Sequence, residues 1–244
     1  MSATEIDSLS VSRNDGDRSL YTWAAIVAAI IVLAGFARTY YAKAAFATPE
    51  LTALQHLHGF VMTTWFVLFI VQVRLAATRR LKVHRTLGAY GAVVAALVVV
   101  VGTVTAITAA VEGRSPPGAP PPLVFLAIPL GDMLLFAILV ACALLMRRRP
   151  EYHKRLMVTA TLGMLTAAVA RIPIGPLQSA GLPAFFAVTD VVLLAFIVAD
   201  SVRHRRLHPA FAWGFAGVIL SEVARFVGAG TPQWMAFATW LTGR

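Results

Sequence analysis

Charge is scarce in this chain, and cysteine is nearly absent. Only 13% of its 244 residues are Asp, Glu, Lys or Arg, against 59% hydrophobic, and the mean hydropathy is +0.76. A water-soluble domain carries about 25% charged residues, so this chain cannot clothe itself for water. The single Cys142 sits in an apolar run, which excludes a disulfide framework. No glycine-rich phosphate loop and no nucleophile elbow occurs, and the last apolar run lacks the central lysine that a retinal protein needs.

What is present is a series of apolar runs near spanning length, about 20 residues each. They predict an all-α, polytopic membrane bundle with seven transmembrane helices, at about residues 20–42, 57–78, 86–111, 123–146, 154–172, 184–202 and 210–228. Residues 1–19 are polar and read as a disordered cytoplasmic tail. The small residues of Ala42-Lys43-Ala44 mimic a signal-peptidase site, but the tail lacks a positive n-region and the first run is read as a retained span. Residues 20–228 then form the transmembrane domain, and residues 229–244, with Trp234 and Trp240, an outer interfacial segment. The Pro-rich stretch from Arg114 to Pro122 and the stretch from Ile172 to Pro176 read as loops that end helices.

The excess of Lys and Arg, 21 against 11 acidic residues, is a matter of placement. Thirteen of the 21 lie in three short connections: Arg74, Arg79, Arg80, Lys82 and Arg85; Arg147, Arg148, Arg149, Lys154 and Arg155; Arg203, Arg205 and Arg206. Positive loops are retained in the cytoplasm, so the pattern predicts a cytoplasmic amino terminus. The expected partners are the bilayer and its anionic headgroups at the basic rim, not nucleic acid. Each basic turn is followed by a His that opens the next helix, namely His84, His153 and His208, a weak repeat suggesting three helical hairpins. Gln72 with Arg74, and Asp200 with Arg203, read as interface anchors, and Gly88, Gly91 and Gly102 as places of close helix approach.

Ionisable side chains inside the hydrocarbon cost about 2.5–3.5 kcal/mol each and normally face the bundle interior. At 1.5 Å rise per residue, Asp132 is about 14 Å in from the outer end of its span, Asp190 about 9 Å and Glu222 about 10 Å. Pro129 and Gly131 weaken the helix just before Asp132 and free carbonyls there. Together with His56 and His58 at the mouth of the second span, these residues predict an outward-opening polar pocket, with Arg171 and Arg225 balancing the charge. Imidazole and carboxylate donors suit a divalent transition metal or a small polar ligand, and a metal-activated water attacking an amphiphile is the enzymatic form of that reading. Residues two apart on a helix point about 200° apart, so His56 and His58 share one ligand only if the helix begins at or after His58. Two alternatives stand beside it. A b-type haem is held by two of His84, His153 and His208 across facing helices. In the other, Asp132 and Asp190 titrate in a proton-coupled small-solute transporter.

His56-Leu57-His58-Gly59, Pro129-Leu130-Gly131-Asp132-Met133, His153-Lys154-Arg155-Leu156-Met157, Ala170-Arg171-Ile172-Pro173, Thr189-Asp190 and His208-Pro209-Ala210 form a recognisable set. As a combination they resemble a bacterial family of seven-helix membrane proteins with no assigned activity, over about residues 51 to 241. That resemblance implies a multi-pass location in a bacterial inner (plasma) membrane and no particular chemistry. More distantly, His84-Arg85 with Leu87-Gly88 is similar to short stretches of cytochrome b561-type and cytochrome oxidase assembly proteins, which implies haem.

Overall fold

The computed structural model describes residues 3–116 and 118–243, with side chains from residue 18 onward. The tail expected at residues 1–19 therefore lies almost wholly outside the described side chains. Among the described residues the regular elements are helices: α1 (Ala3–Phe36), α2 (Ala53–Ala77), α3 (Leu81–Val111), α4 (Pro122–Phe125), α5 (Ala127–Leu145), α6 (Pro150–Leu162), α7 (Thr166–Val169), α8 (Gly175–His204), α9 (Pro209–Gly228) and α10 (Pro232–Thr242).

Among the described residues six segments are long and apolar enough to cross a membrane: Arg18–Tyr41, Ala53–Ala77, Leu81–Val111, Pro122–Leu145, Gly175–His204 and Pro209–Gly228. The seventh expected span, 154–172, is built differently. It is α6, a 3-10 turn at Gly163–Leu165, and α7. Seven of the thirteen residues of α6 are buried, Arg155, Thr159 and Thr161 among them. Both large apolar cores draw on it: Val158 and Leu162 pack with α1, α8 and α9, while Leu156 and Ala160 pack with α2, α3 and α5. A helix ringed by protein has no lipid-facing side to cover with apolar residues, which is why its sequence is the least hydrophobic of the set.

Local signals set the boundaries. Thr52 caps α2 through a capping box with Gln55, Thr231 caps α10, and Pro occupies the first turn of α4, α6, α8, α9 and α10. The loop expected from residue 172 is shorter than predicted, because Gly175 already starts α8. The helix breaks instead at Gly181, whose φ of 69° only glycine adopts cheaply, just before Pro183. α1 ends in a π-turn, Ala37–Tyr41. At Gly35 an added Cβ would overlap the backbone of Ala168, so glycine there lets α1 lie directly against α7. The short α10 carries Trp234, whose indole N–H donates to the Leu123 carbonyl at 2.8 Å and ties it to α4.

Candidate functional site

Asp132, Asp190 and Glu222 lie thirteen, fourteen and thirteen residues from the ends of α5, α8 and α9 that adjoin the basic turns. At 1.5 Å per residue all three are about 20 Å from that end, so antiparallel and parallel neighbours bring them to one level. The structure joins them into a single group with Arg225. The Arg225 guanidinium donates to Asp132 Oδ1 at 2.5 Å, to the Ile128 carbonyl at 3.2 Å and to the Ser221 carbonyl at 3.0 Å. Its donation to Ile128 falls on the stretch of α5 flanking Pro129. Gly131 makes the crossing feasible, since a Cβ there would overlap Arg225 Cδ. The Phe186 ring closes the other side, 5.1 Å from the guanidinium carbon.

Asp190 and Glu222 hydrogen-bond to each other through their carboxyl groups. Carboxylate oxygens only accept, so one of the two carries a proton whenever that bond is made. Asp190 Oδ1 is buried without a partner, and Glu222 is 8% exposed. The group thus holds an ion pair, Asp132 with Arg225, beside an acid pair.

The other residues expected in this pocket lie elsewhere. His56 is exposed beside Tyr40, whose hydroxyl donates to the His56 carbonyl at 3.3 Å. α2 begins at Ala53, so both histidines are helical and diverge. His58 Nδ1 is buried without a partner, near Arg171. Arg171 does not balance the carboxylates: its guanidinium donates to the Ala167 carbonyl and lies 4.9 Å from the Phe36 ring. Among the described residues no three His, Cys, Asp or Glu side chains are placed to hold a metal ion. A surface hollow of about 470 Å³ at the end of α1, lined by residues 40–45 and Glu50, shares no residue with the carboxylates.

At the basic end lies a buried network that sequence reasoning did not find. Asp200, read as an interface anchor, is fully buried. Arg155 donates to both its carboxylate oxygens, Nε to Oδ2 and Nη2 to Oδ1, each at 2.9 Å, and the Tyr21 hydroxyl donates to Oδ1 at 3.1 Å. Arg155 also binds Glu151 on its own helix at 2.5 Å. Partial burial pushes the Glu151 carboxyl up, but hydrogen bonds from Arg155 and Lys154 outweigh it and hold the group down at about 2. The missed signal was the pair of carboxylates, Glu151 and Asp200, set among the many Lys and Arg of that rim.

The structure separates the three histidines proposed for haem. The rings of His84 and His153 are neighbours, with centroids 6.4 Å apart and planes at 90°. Their Nδ1 atoms lie 3.3 Å from the Gln72 carbonyl and 2.8 Å from the Ala143 carbonyl, each on the preceding helix of the same hairpin. A carbonyl only accepts, so Nδ1 carries the hydrogen on both rings and Nε2 keeps its lone pair when the ring is neutral. His208 has the opposite arrangement. Its Nδ1 accepts from Ala210 N–H at 3.1 Å as the N-cap of α9, and its ring packs on Tyr152. Burial, reinforced by the Arg155 charge, lowers the His208 pKa. A neutral His208 then has its proton on Nε2 and no free lone pair to offer.

In comparisons with known proteins, no family model, no curated protein and no solved structure matches the chain.

Proposed function

We propose that this multi-pass membrane protein binds one b-type haem between His84 and His153 and serves in electron transfer or oxidase assembly. The observation that carries the reading is the ring pair itself. Two imidazoles, from α3 and α6, each with its Nδ1–H turned to a carbonyl, would leave both Nε2 lone pairs for one metal centre. His84 and His153, whose ring centroids lie 6.4 Å apart, would be the residues to hold the haem, which would supply one-electron transfer. Nδ1–H donation to a backbone carbonyl is the outer contact that fixes a ligating imidazole. The neighbouring Arg85 and Arg147–Arg149 supply positive charge for the two haem propionates. In this reading α6 and α7 complete a seventh crossing beginning near residue 154, and the basic end is cytoplasmic.

The test is titration of the detergent-purified protein with hemin. One haem per chain with a low-spin Soret and α-band spectrum is expected, lost in His84→Ala and in His153→Ala and retained in His208→Ala. Perpendicular ring planes also predict a highly anisotropic low-spin ferric electron paramagnetic resonance signal. High-spin binding, or binding that survives the His84→Ala/His153→Ala double substitution, would refute it.

A second reading draws on the Asp190–Glu222 pair: exchange of the shared proton for a small cationic solute, as in a proton-coupled transporter. Losing that proton takes the four-residue group from a net charge of −1 to −2, which a cation offsets. Proteoliposomes holding a pH-sensitive dye and challenged with amine and alkali-cation gradients should change lumenal pH, and Asp190→Asn vesicles should not. Silence of wild-type vesicles across that panel counts against transport.

A further inference from the structure

The hollow at the end of α1 shares no residue with the histidine pair or the carboxylates. Tyr40, Tyr41, Lys43 and Glu50 line it together with three alanines, and its volume of about 470 Å³ falls within the about 300–1,000 Å³ of small-molecule sites. Its depth follows from α1. Tyr21 bonds Asp200 at the basic end, and Tyr41, in the π-turn that closes the helix, lies twenty residues on, about 30 Å at 1.5 Å per residue. That is the thickness of a bilayer's hydrocarbon core, which puts the hollow at headgroup level on the far side. Its aromatic wall is held in place. The rings of Tyr40 and Tyr41 lie 5.3 Å apart with planes at 85°, Tyr40 packs on Gly59, where a Cβ would overlap it, and the Tyr41 hydroxyl bonds Thr63 at 2.9 Å. The rest is irregular backbone, of a kind found frequently at functional sites: the π-turn runs into a 3-10 turn, Lys43–Ala45, and Ala47 turns the chain back with a φ of 47°. Thr48 ties the returning loop to α1 by donating to the Arg38 carbonyl at 3.2 Å, and the return brings Glu50 Oε1 to 3.0 Å from Lys43 Nζ.

Lys43 and Glu50 are unequal partners. The Lys43 side chain is 16% exposed and that of Glu50 94%, so the ammonium is set into the wall while the carboxylate stands in solvent, and an ion pair held in that way opens easily. A lone anion arriving at Lys43 meets the Glu50 carboxylate, and a lone cation arriving at Glu50 meets the ammonium. A molecule bearing both signs exchanges the one ion pair for two, and the tyrosine ring faces add attraction for its cationic end. At headgroup depth the groups that carry both signs are phospholipid heads. Lysine holds phosphate as a point charge, and a primary ammonium brings N–H donors to a carboxylate, which the methylated ammonium of choline does not. We infer that this hollow binds a phosphoethanolamine zwitterion, with the phosphate on Lys43 and the ammonium on Glu50. The same group is the head of phosphatidylethanolamine and a free soluble molecule, and a hollow open at this level admits either.

The experiment measures thermal stabilisation of the detergent-purified chain by short-chain phosphatidylethanolamine, by phosphatidylglycerol and phosphatidylcholine of the same chain length, and by O-phosphoethanolamine. Saturable stabilisation by at least one of the two ethanolamine compounds is expected, with the apparent Kd weakened about tenfold or more in Lys43→Gln and in Glu50→Gln, as loss of one charge-assisted contact implies. Stabilisation by the lipid alone assigns the site to a membrane headgroup, and stabilisation by O-phosphoethanolamine assigns it to a soluble zwitterion. Because Glu50 stands in solvent, Glu50→Gln should leave the ligand-free melt nearly unchanged. That variant should also lose the preference for phosphatidylethanolamine over phosphatidylglycerol, a change that a merely structural role for Glu50 would not produce. No stabilisation by either ethanolamine compound, stabilisation by phosphatidylglycerol or phosphatidylcholine as strong as theirs in the wild type, or an unchanged Kd in Glu50→Gln overturns the inference.

Discussion

Asp200→Ala tests the buried network at the basic end most directly. The substitution leaves Arg155, 1% exposed, without its two-oxygen partner and leaves the Tyr21 hydroxyl without an acceptor. Breaking a buried ion pair from one side costs about 3–5 kcal/mol. Glu151 still holds Arg155, which places the loss at the lower bound, about 3 kcal/mol, and the orphaned hydroxyl adds about 1 kcal/mol. A total of about 4 kcal/mol corresponds to about 8–16 °C in Tm for a chain of this length. The double substitution Arg155→Met/Asp200→Leu removes both charges together and should melt within about 1 kcal/mol of wild type, since a well-packed apolar replacement of a buried pair is often neutral. Melts of the wild type, Arg155→Met, Asp200→Leu and the double variant in one detergent complete the cycle. A loss below about 1 kcal/mol for Asp200→Ala, or a double variant as unstable as the two singles summed, would refute the reasoning.

Gly131→Ala places a methyl group on Arg225 Cδ, whose guanidinium is fixed at three points, and should cost about 1–3 kcal/mol in a denaturant melt; an unchanged melt would show that Arg225 is free to move. Gly163 has ordinary helical angles, φ −61° and ψ −19°, and its nearest new contact would be Val218 at an unstrained 3.7 Å. Gly163→Ala is therefore expected to stabilise by about 0.4–1 kcal/mol, and a loss of stability would mean that the 3-10 turn needs glycine for another reason. His208 binds its proton more weakly in the folded chain than in the unfolded one, so its contribution is intact above about pH 6.5 and declines as the pH falls below that value. Asn caps α9 equally well without titrating, so the Tm of His208→Asn should fall less between pH 8 and pH 5 than that of wild type; parallel declines would exclude His208 as the source.

Much of this architecture is legible in the sequence because lipid imposes a simple rule, long apolar runs bounded by Pro, Thr and basic turns. The rule weakens where protein replaces lipid. α6 carries Arg155, Thr159 and Thr161, and Thr166 follows on α7, so the segment read as the span 154–172 is short of the apolar length found in the other six, and those polar residues are buried. The carboxylates showed themselves because charge inside an apolar run is conspicuous, and residue counting placed them at one level. Their partners were harder to read. Arg171 and Arg225 look alike in sequence, each near the end of a span. Only the inward turn of Arg225 past Gly131 separates them, and no spacing reports the direction of a long side chain. Arg155 and Asp200 stayed hidden for the opposite reason: both lie at a depth where charges cost little, so their positions gave no cause to expect burial.

The acid pair differs in kind from the other buried charges. Arg155 has Asp200 and Arg225 has Asp132, arrangements that fix one helix against another with opposite charges. Asp190 and Glu222 join α8 to α9 with two groups of the same type, and their bond lasts only while a proton is held between them. As a structural device this is inferior to two apolar side chains, because both carboxyls are withdrawn from water with no cation of their own. If the pair serves function instead of packing, Asp190→Leu/Glu222→Met should raise thermal stability by about 1–4 kcal/mol while abolishing any proton-linked activity. A destabilised double variant would assign the pair to helix register, and the proton-coupled reading would lose its footing.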